Sequence, residues 1–163
     1  MRPDYKNAYK PDKQKKNIDK YVPLDMKCIS SGYFSDAERL KLREDLIGPE
    51  AEKLAKILAN LEPELTTTQL RKFFNEVRSI EERMKDDQFQ MAPIIFLRSK
   101  AAYSVGKKTS KMPKELKDFI FACVEKINDE KDFYGFAKFF ESIVGYFYYY
   151  NEINKKKKER SSQ

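Results

Sequence analysis

Residues 66–84 read TTTQLRKFFNEVRSIEERM, and this stretch decides the fold class of the chain. Its apolar residues recur every three or four positions, which places them on one face of a helix with 3.6 residues per turn. The threonines at 66–68 offer an N-cap. The sequence therefore predicts an amphipathic helix over 68–85. Its apolar face consists of Leu70, Phe73, Phe74, Val77, Ile80 and Met84.

Further helices are predicted on both sides of this stretch from the same periodicity and from capping and helix-ending residues. Together with the first, they cover residues 35–47, 49–62, 68–85, 89–106, 113–127 and 132–155. Residues 89–106 are apolar on nearly all sides, which is typical of a helix buried in the middle of a bundle. No stretch alternates with period two for long enough to indicate a sheet. We therefore expect an all-α, single-domain bundle of about five helices.

Each end of the chain is basic. Residues 1–23 carry seven Lys/Arg against three Asp, and residues 152–163 carry five against two Glu, which together account for the net charge of +7. The first segment also contains three prolines and has no helical period. We expect a flexible basic tail over 1–33, a helical bundle domain over 34–153 and a flexible basic tail over 154–163.

The composition argues against an enzyme. The 163 residues include no histidine, which removes the commonest general base and the His-dependent nucleophile and metal sites. The two cysteines and five glycines form no metal-binding or phosphate-binding motif. Two acidic clusters leave a two-metal nuclease as an alternative, although their basic neighbours favour solvated helix ends. The clusters are Glu81, Glu82, Asp86 and Asp87, and Asp129, Glu130 and Asp132. We expect no catalytic residues, no cofactor and no bound metal.

Hydropathy and the N-terminal residues indicate where the protein resides. The mean hydropathy is −0.77, and no segment is a candidate membrane span. The first 21 residues are polar and lysine-rich, without the apolar core of a secretory signal. These features predict a cytoplasmic protein.

Basic residues at helical spacing predict contact with a polyanion. Residues 98–117 carry seven Lys/Arg against one Glu, a local charge that suits phosphate groups. Arg71, Arg78 and Lys85 recur every seven residues beside the apolar face, about 10.5 Å apart along one helix edge. Such spacing could reach successive phosphates. The alternative is a solvated edge on which these cations pair with nearby glutamates, namely Glu76, Glu81 and Glu82.

The next helix has a similar edge with an aromatic ring in it. Lys100 and Lys107 are seven residues apart and flank Tyr103. A ring between two cations can stack on a base or pack on a sugar, an arrangement that favours RNA. The alternative for Tyr103 is a core tyrosine with its hydroxyl at the rim.

The last predicted helix is unusually rich in aromatic residues. Ten of the 22 Phe and Tyr of the chain lie within residues 133–150, more than one helix face can bury in a small bundle. Some of these rings must therefore face outward, where tyrosines are typical of protein interfaces. The predicted interface residues are Tyr146, Tyr148, Tyr149 and Tyr150.

Three segments resemble a known family. They are LTTTQLRKFFNEVR at 65–78, FLRSKAAYSVGK at 96–107 and FAKFFESIVGY at 136–146. In order and spacing they resemble the small helical subunit of type III-A CRISPR-Cas effector (Csm) complexes, over about residues 40–150. The resemblance implies a five-helix bundle whose copies stack into a filament beside the backbone subunits that hold the guide RNA. It also implies a non-catalytic role in antiviral defence, lining the channel for guide RNA and target RNA and bridging toward the large subunit.

The resemblance also implies which residues contact RNA. Lys107 stands where an arginine is often seen in the family, and a lysine lacks the planar two-donor fork of arginine. Two other classes remain open: the small subunit of a type III-B complex, and a free-standing helical regulator that binds duplex DNA. The implied contacts are Arg71, Arg78, Lys100, Tyr103 and Lys107, together with Arg98 and Lys108.

Overall fold

The computed structural model describes residues 21–86, 88–109 and 111–163. Within these ranges the chain forms five α-helices and no strand, which confirms the predicted all-α bundle. The helices are α1 (Ala51–Leu58), α2 (Thr67–Asp86), α3 (Met91–Gly106), α4 (Lys114–Glu125) and α5 (Glu130–Ser161). None of the helices in these ranges combines the length and the apolarity that a membrane crossing requires.

The centre of the bundle is α5. Helices α1 and α2 pack against it, while α3 packs against α4 and α2. The ring of Phe119 on α4 lies 5.0 Å from that of Phe140 and 6.0 Å from that of Phe139. Full burial of a phenylalanine contributes about 1.5–3 kcal/mol, so this row of rings supplies much of the stability. The buried large residues of α5 are Phe133, Phe136, Phe139, Phe140, Ile143 and Phe147.

Helix α2 forms where residues 66–84 predict it. The Thr66 hydroxyl accepts a hydrogen bond from the Gln69 amide at 3.1 Å, and the Gln69 side chain accepts one from the Thr66 amide at 2.9 Å. This reciprocal capping box satisfies two amides that the first turn leaves without helical partners. The predicted apolar face is confirmed by the buried residues Leu70, Phe73, Val77 and Ile80.

Helix α3 lies at the periphery of the bundle. Its buried residues are Ile94, Leu97 and Ala101, whereas the side chains of Ile95 and Phe96 are 54% and 63% exposed. The prediction that this helix is buried in the middle is therefore wrong, because the phenylalanine-rich α5 takes that place. A helix that is apolar all round does not reveal from its sequence which side is covered.

The region predicted as a helix over 35–47 is a loop as far as Arg43. The Asp36 carboxylate accepts hydrogen bonds from the backbone amides of Leu40 and Lys41, at 3.0 and 2.8 Å, and so takes donors that a helix would use. Helical structure begins at Glu44 and continues through Pro49 into α1. A π-helical turn, Leu46–Glu50, accommodates this proline, which has no N–H to donate.

Residues 21–33, predicted as part of a flexible tail, pack against the bundle. Ile29 and Tyr33 are buried, and the Tyr33 hydroxyl donates a hydrogen bond to the Cys123 carbonyl at 2.8 Å. The Tyr21 hydroxyl donates one to the Asp118 carboxylate. The rest of the predicted tail, residues 1–20, lies outside the described residues.

The last helix extends beyond its predicted end at residue 155. Helix α5 continues to Ser161, so the segment predicted as a C-terminal tail is helical through that residue. The hydroxyls of Ser161 and Ser162 donate hydrogen bonds to the carbonyls of Lys157 and Lys158, both at 2.9 Å. Both serine side chains thus bond back onto the preceding turn of the helix, the i−4 contact that serine often makes.

Candidate nucleic-acid interface

Two of the predicted RNA-contacting cations are engaged in ion pairs on the surface of α2 and α3. Arg78 pairs with Glu81 at 2.9 Å, and Lys100 pairs with Glu76 at 2.7 Å across the two helices. Lys85 also pairs with Glu82, at 2.8 Å. These are the glutamates of the alternative interpretation. Exposed ion pairs contribute at most about 1 kcal/mol, so these cations can exchange an exposed carboxylate for a phosphate.

Arg71 and Arg98 lie over aromatic rings on two other surfaces. The Arg71 guanidinium donates a hydrogen bond to the Tyr148 hydroxyl at 3.0 Å and lies 5.5 Å from the centroid of that ring. The Arg98 guanidinium lies 4.5 Å from the centroid of the Phe121 ring on α4. Both contacts join neighbouring helices as cation–π interactions. The predicted cations therefore do not form one continuous surface.

A cationic groove opens where α3 ends and α4 begins. It has a volume of about 290 Å³. We use the name cationic groove for the surface lined by Lys107, Lys108, Lys111, Lys114 and Tyr21, which also includes Glu62, Pro63, Val105, Met112, Pro113 and Glu115. Within the described ranges, none of the four lysines takes part in an ion pair. The groove thus concentrates positive charge that is available to an anionic ligand.

Two of the lysines that name the cationic groove, Lys111 and Lys114, and its tyrosine, Tyr21, were not among the predicted contacts. Lys111 and Lys114 belong to the basic stretch 98–117, a signal that was visible in the sequence. Tyr21 reaches the groove through a contact with a residue 97 positions away, and the Lys114 ammonium lies 5.2 Å from the centroid of its ring. Burial and the hydrogen bond to the Asp118 carboxylate raise the pKa of Tyr21 to about 12. Its hydroxyl is therefore a neutral donor at neutral pH.

The outer face of α3 leads to this groove. Tyr103 is 68% exposed, and Phe96, seven residues earlier on the same face, is 63% exposed. The alternative of a core tyrosine does not hold for Tyr103, because its ring projects from the bundle. Lys107 follows at the end of the helix, so an exposed ring and the groove lysines are neighbours along the surface. Aromatic rings beside cations can stack on unpaired bases while the cations contact phosphates.

The four tyrosines predicted at a subunit interface differ in exposure. Tyr146 packs against the core, and Tyr148 is half-buried beneath Arg71. Tyr150 donates a hydrogen bond to Glu52, a contact that raises the pKa of Tyr150 and lowers that of Glu52. Tyr149 is 62% exposed. Of the four, Tyr149 therefore has the most ring surface to offer a partner.

Several carboxylates of the two acidic clusters form ion pairs with basic side chains. Glu81 pairs with Arg78 and with Lys138, the latter at 3.7 Å. Arg39 pairs with Asp129 at 2.6 Å and with Asp132 at 3.1 Å. Asp87 lies outside the described residues, and the described ones contain no group of three or more His, Cys, Asp or Glu suited to a metal ion.

The fold and these surfaces define a small all-helical bundle protein with a cationic groove and an exposed aromatic helix face. The family model described as Csm2 Type III-A matches residues 41–153, more than half of the chain. The chain therefore belongs to the Csm2 family and is a small subunit of a type III-A CRISPR-Cas (Csm) complex, as its sequence resemblance predicts. No curated protein and no solved structure matches it.

Proposed function

We propose that this chain is a non-catalytic subunit that binds the guide RNA and target RNA of its complex through the cationic groove and the adjacent end of α3. Copies of the chain stack along the RNA channel beside the backbone subunits and the large subunit, in the cytoplasm. Of the residues implied by the family resemblance, Tyr103, Lys107 and Lys108 make the main contacts. Arg71, Arg78, Arg98 and Lys100 contribute from neighbouring surfaces. Tyr146, Tyr148, Tyr149 and Tyr150 face other subunits, with Tyr149 contributing the most exposed ring.

The observation that carries this proposal is the position of Tyr103. Its ring is 68% exposed, and Tyr103 lies one helical turn before Lys107, whose backbone amide donates a hydrogen bond to the Tyr103 carbonyl. None of the four groove lysines is paired with a carboxylate in the described part of the chain. The exposed ring leaves apolar surface in contact with water, and it is available to stack on a base or pack on a ribose of an RNA whose phosphates enter the groove. RNA is favoured over duplex DNA because an exposed ring can stack only on bases that are unpaired or splayed out.

A non-catalytic role is supported by the side chains themselves. The sequence has no histidine to act as a general base, and the carboxylates of Glu81, Asp129 and Asp132 in the two acidic clusters are paired with arginine. These ion pairs fit a structural role for the clusters at helix ends.

The proposal is tested with Lys107→Gln combined with Lys108→Gln. We expect weaker binding of single-stranded RNA and a salt dependence of log affinity that is flatter by about 0.7 for each phosphate that a lysine no longer neutralises. Tyr103→Ala should weaken binding without changing that slope, because it removes stacking and not charge. Both effects are measured by fluorescence anisotropy at several salt concentrations.

The matched control is Lys41→Gln combined with Lys53→Gln, which removes two exposed lysines outside the groove. It should leave affinity and slope unchanged. An identical slope for the groove variant and the wild type would refute the groove as the RNA site. Tighter, sequence-specific binding to duplex DNA would instead favour the regulator.

A further inference from the structure

The C-terminal end of α5 is a basic, exposed helical segment beside the loop at residues 59–64. Residues 155–160 read KKKKER, five cations and one anion, and all six are exposed. They span about 9 Å at 1.5 Å per residue. We call residues 155–160 the basic extension. It begins after residue 153, where the match to the Csm2 family model ends, so it lies outside the matched segment.

The part of α5 just before the basic extension is anchored to the bundle. Asn151 is only 5% exposed, and the Asn154 side chain donates hydrogen bonds to the Ala59 carbonyl at 3.0 Å and to the Asn60 side chain at 3.2 Å. The helix that follows is continuous with α5. Its cations are therefore held in a defined geometry, which lowers the ordering cost of binding compared with a flexible tail.

Part of the charge of the extension is already balanced. Lys155 pairs with Glu152 at 3.0 Å, and Lys158 lies 3.8 Å from Glu64. Lys156, Lys157 and Arg160 form no ion pair with any described residue. At about 100° per residue, Lys157 and Arg160 lie about 100° and 40° around the helix from Lys156, so the three share one side. The extension therefore presents its unbalanced positive charge as one cationic face.

The chemistry of the extension selects its ligand. Residues 155–160 include no apolar side chain, whereas a membrane-binding helix needs an apolar face and the core of a protein interface is poor in lysine. A sugar–phosphate backbone needs only cations at its surface, and one cationic face of a helix supplies them. The charge also suits the end of the helix, because cations stabilise the negative end of its dipole.

We propose that the basic extension is a second RNA-binding element, which contacts the sugar–phosphate backbone of RNA without regard to sequence and adjoins the cationic groove at Glu62, a residue that borders both. The inference rests on the proposed function only in taking RNA as the polyanion. Two adjoining cationic sites on one small subunit hold a strand at two points, so the strand dissociates only when both contacts are broken. The extension thus raises the apparent affinity of the groove through high effective concentration.

The test combines Lys156→Gln, Lys157→Gln and Arg160→Gln in the full chain. Its control is Lys27→Gln with Lys41→Gln and Lys53→Gln, which removes the same charge from exposed positions elsewhere. Binding to fluorescent single-stranded RNAs of unrelated sequence is measured between low and high salt. We expect the extension variant to flatten the salt slope by up to about 2, equally for every sequence, while the control keeps the wild-type slope. Replacing Lys156 and Lys157 by Arg should retain binding, because the charge is kept.

The outcomes separate this inference from the proposed function when the Lys107→Gln, Lys108→Gln variant is measured alongside. The inference would be wrong if the extension variant kept the wild-type salt slope while the groove variant showed a reduced one. The proposed function would then still stand. The reverse result would support the extension and refute the groove. Absence of RNA binding by the wild type would overturn both. Binding to phosphatidylserine vesicles that is abolished in the extension variant, with RNA binding unchanged, would identify a membrane contact and overturn the inference.

Discussion

Gly135 and Gly145 both lie in α5, but only Gly135 is closely packed against another segment. A Cβ atom on Gly135 would lie 2.4 Å from the Cβ of Tyr33, whereas one on Gly145 would meet nothing within 4 Å. Tyr33 is buried and cannot move aside, so Gly135→Ala should lower the free energy of unfolding by about 1–3 kcal/mol. Gly145→Ala is the control and should raise it by about 0.5–1 kcal/mol, because alanine is the better helix former. Urea unfolding measures both, and equal effects would contradict the close approach of residues 21–33 to α5.

Asp129 gives the stability of the fold a dependence on pH. Its carboxylate accepts a hydrogen bond from the Asp132 amide as the N-cap of α5 and pairs with Arg39 at 2.6 Å. The Arg39 guanidinium is the main cause that holds the pKa of Asp129 below its ordinary value of 3.8. The ionised form is thus favoured by folding, so its contribution is present above pH 3.8 and is lost as the pH falls through the lowered pKa.

We therefore expect Asp129→Asn to lower the free energy of unfolding at pH 7 and to have a smaller effect at pH 3. Urea unfolding of the variant and the wild type at both pH values measures the difference. A difference of the same size at both would mean that the charge of Asp129 is not what stabilises the start of α5.

At the scale of the secondary-structure element, the sequence predicts the features that depend only on residues close together in the chain. Residues 66–84 contain both the periodicity and the capping box of α2, so the predicted helix 68–85 agrees with the observed Thr67–Asp86 within one residue at each end. In the segment 35–43, the local signal was ambiguous. Asp36 can cap a helix or bind the amides of a loop, and only the structure shows that it does the latter. The position of α3 was not predictable, because an all-round apolar helix fits both the centre and an exposed apolar surface.

The same reasoning applies to the candidate RNA site. The positive charge of residues 98–117 predicted a phosphate-binding surface that includes the lysines of the cationic groove. This was possible because these lysines are close together in the sequence. The pairing of Lys100 with Glu76 depends on how α3 packs against α2, and helix spacing alone does not specify this packing. Tyr21 could not have been assigned, because its contact with α4 joins residues 97 positions apart.

At the scale of the whole molecule, Tyr149 is the aromatic residue of α5 that we expect to join one copy to another subunit. Tyr149→Ser should leave the thermal midpoint nearly unchanged, since the ring is 62% exposed. It should weaken self-association or recruitment into the complex by tenfold or more, because truncating an interface tyrosine can cost about 2 kcal/mol. Sedimentation and thermal unfolding measure the two effects.

The control for this variant is Tyr134→Ser, which removes a ring of 47% exposure near the other end of the same helix. It should leave self-association unchanged. Equally weakened association in both variants, or unfolding of the Tyr149 variant, would contradict an interface at residue 149.

Because residues 21–33 pack against the bundle, the segment that the family model matches is shorter than the segment that takes part in the fold. A fragment covering only residues 41–153 would lack Tyr33 and Ile29, and so would leave the Phe136 ring, 6.5 Å from that of Tyr33, without one of its neighbours. It would also lack Arg39, the partner of Asp129 at the start of α5. The family match and the folded unit therefore have different borders in this chain: the match begins at residue 41, but side chains that precede this residue complete the hydrophobic core.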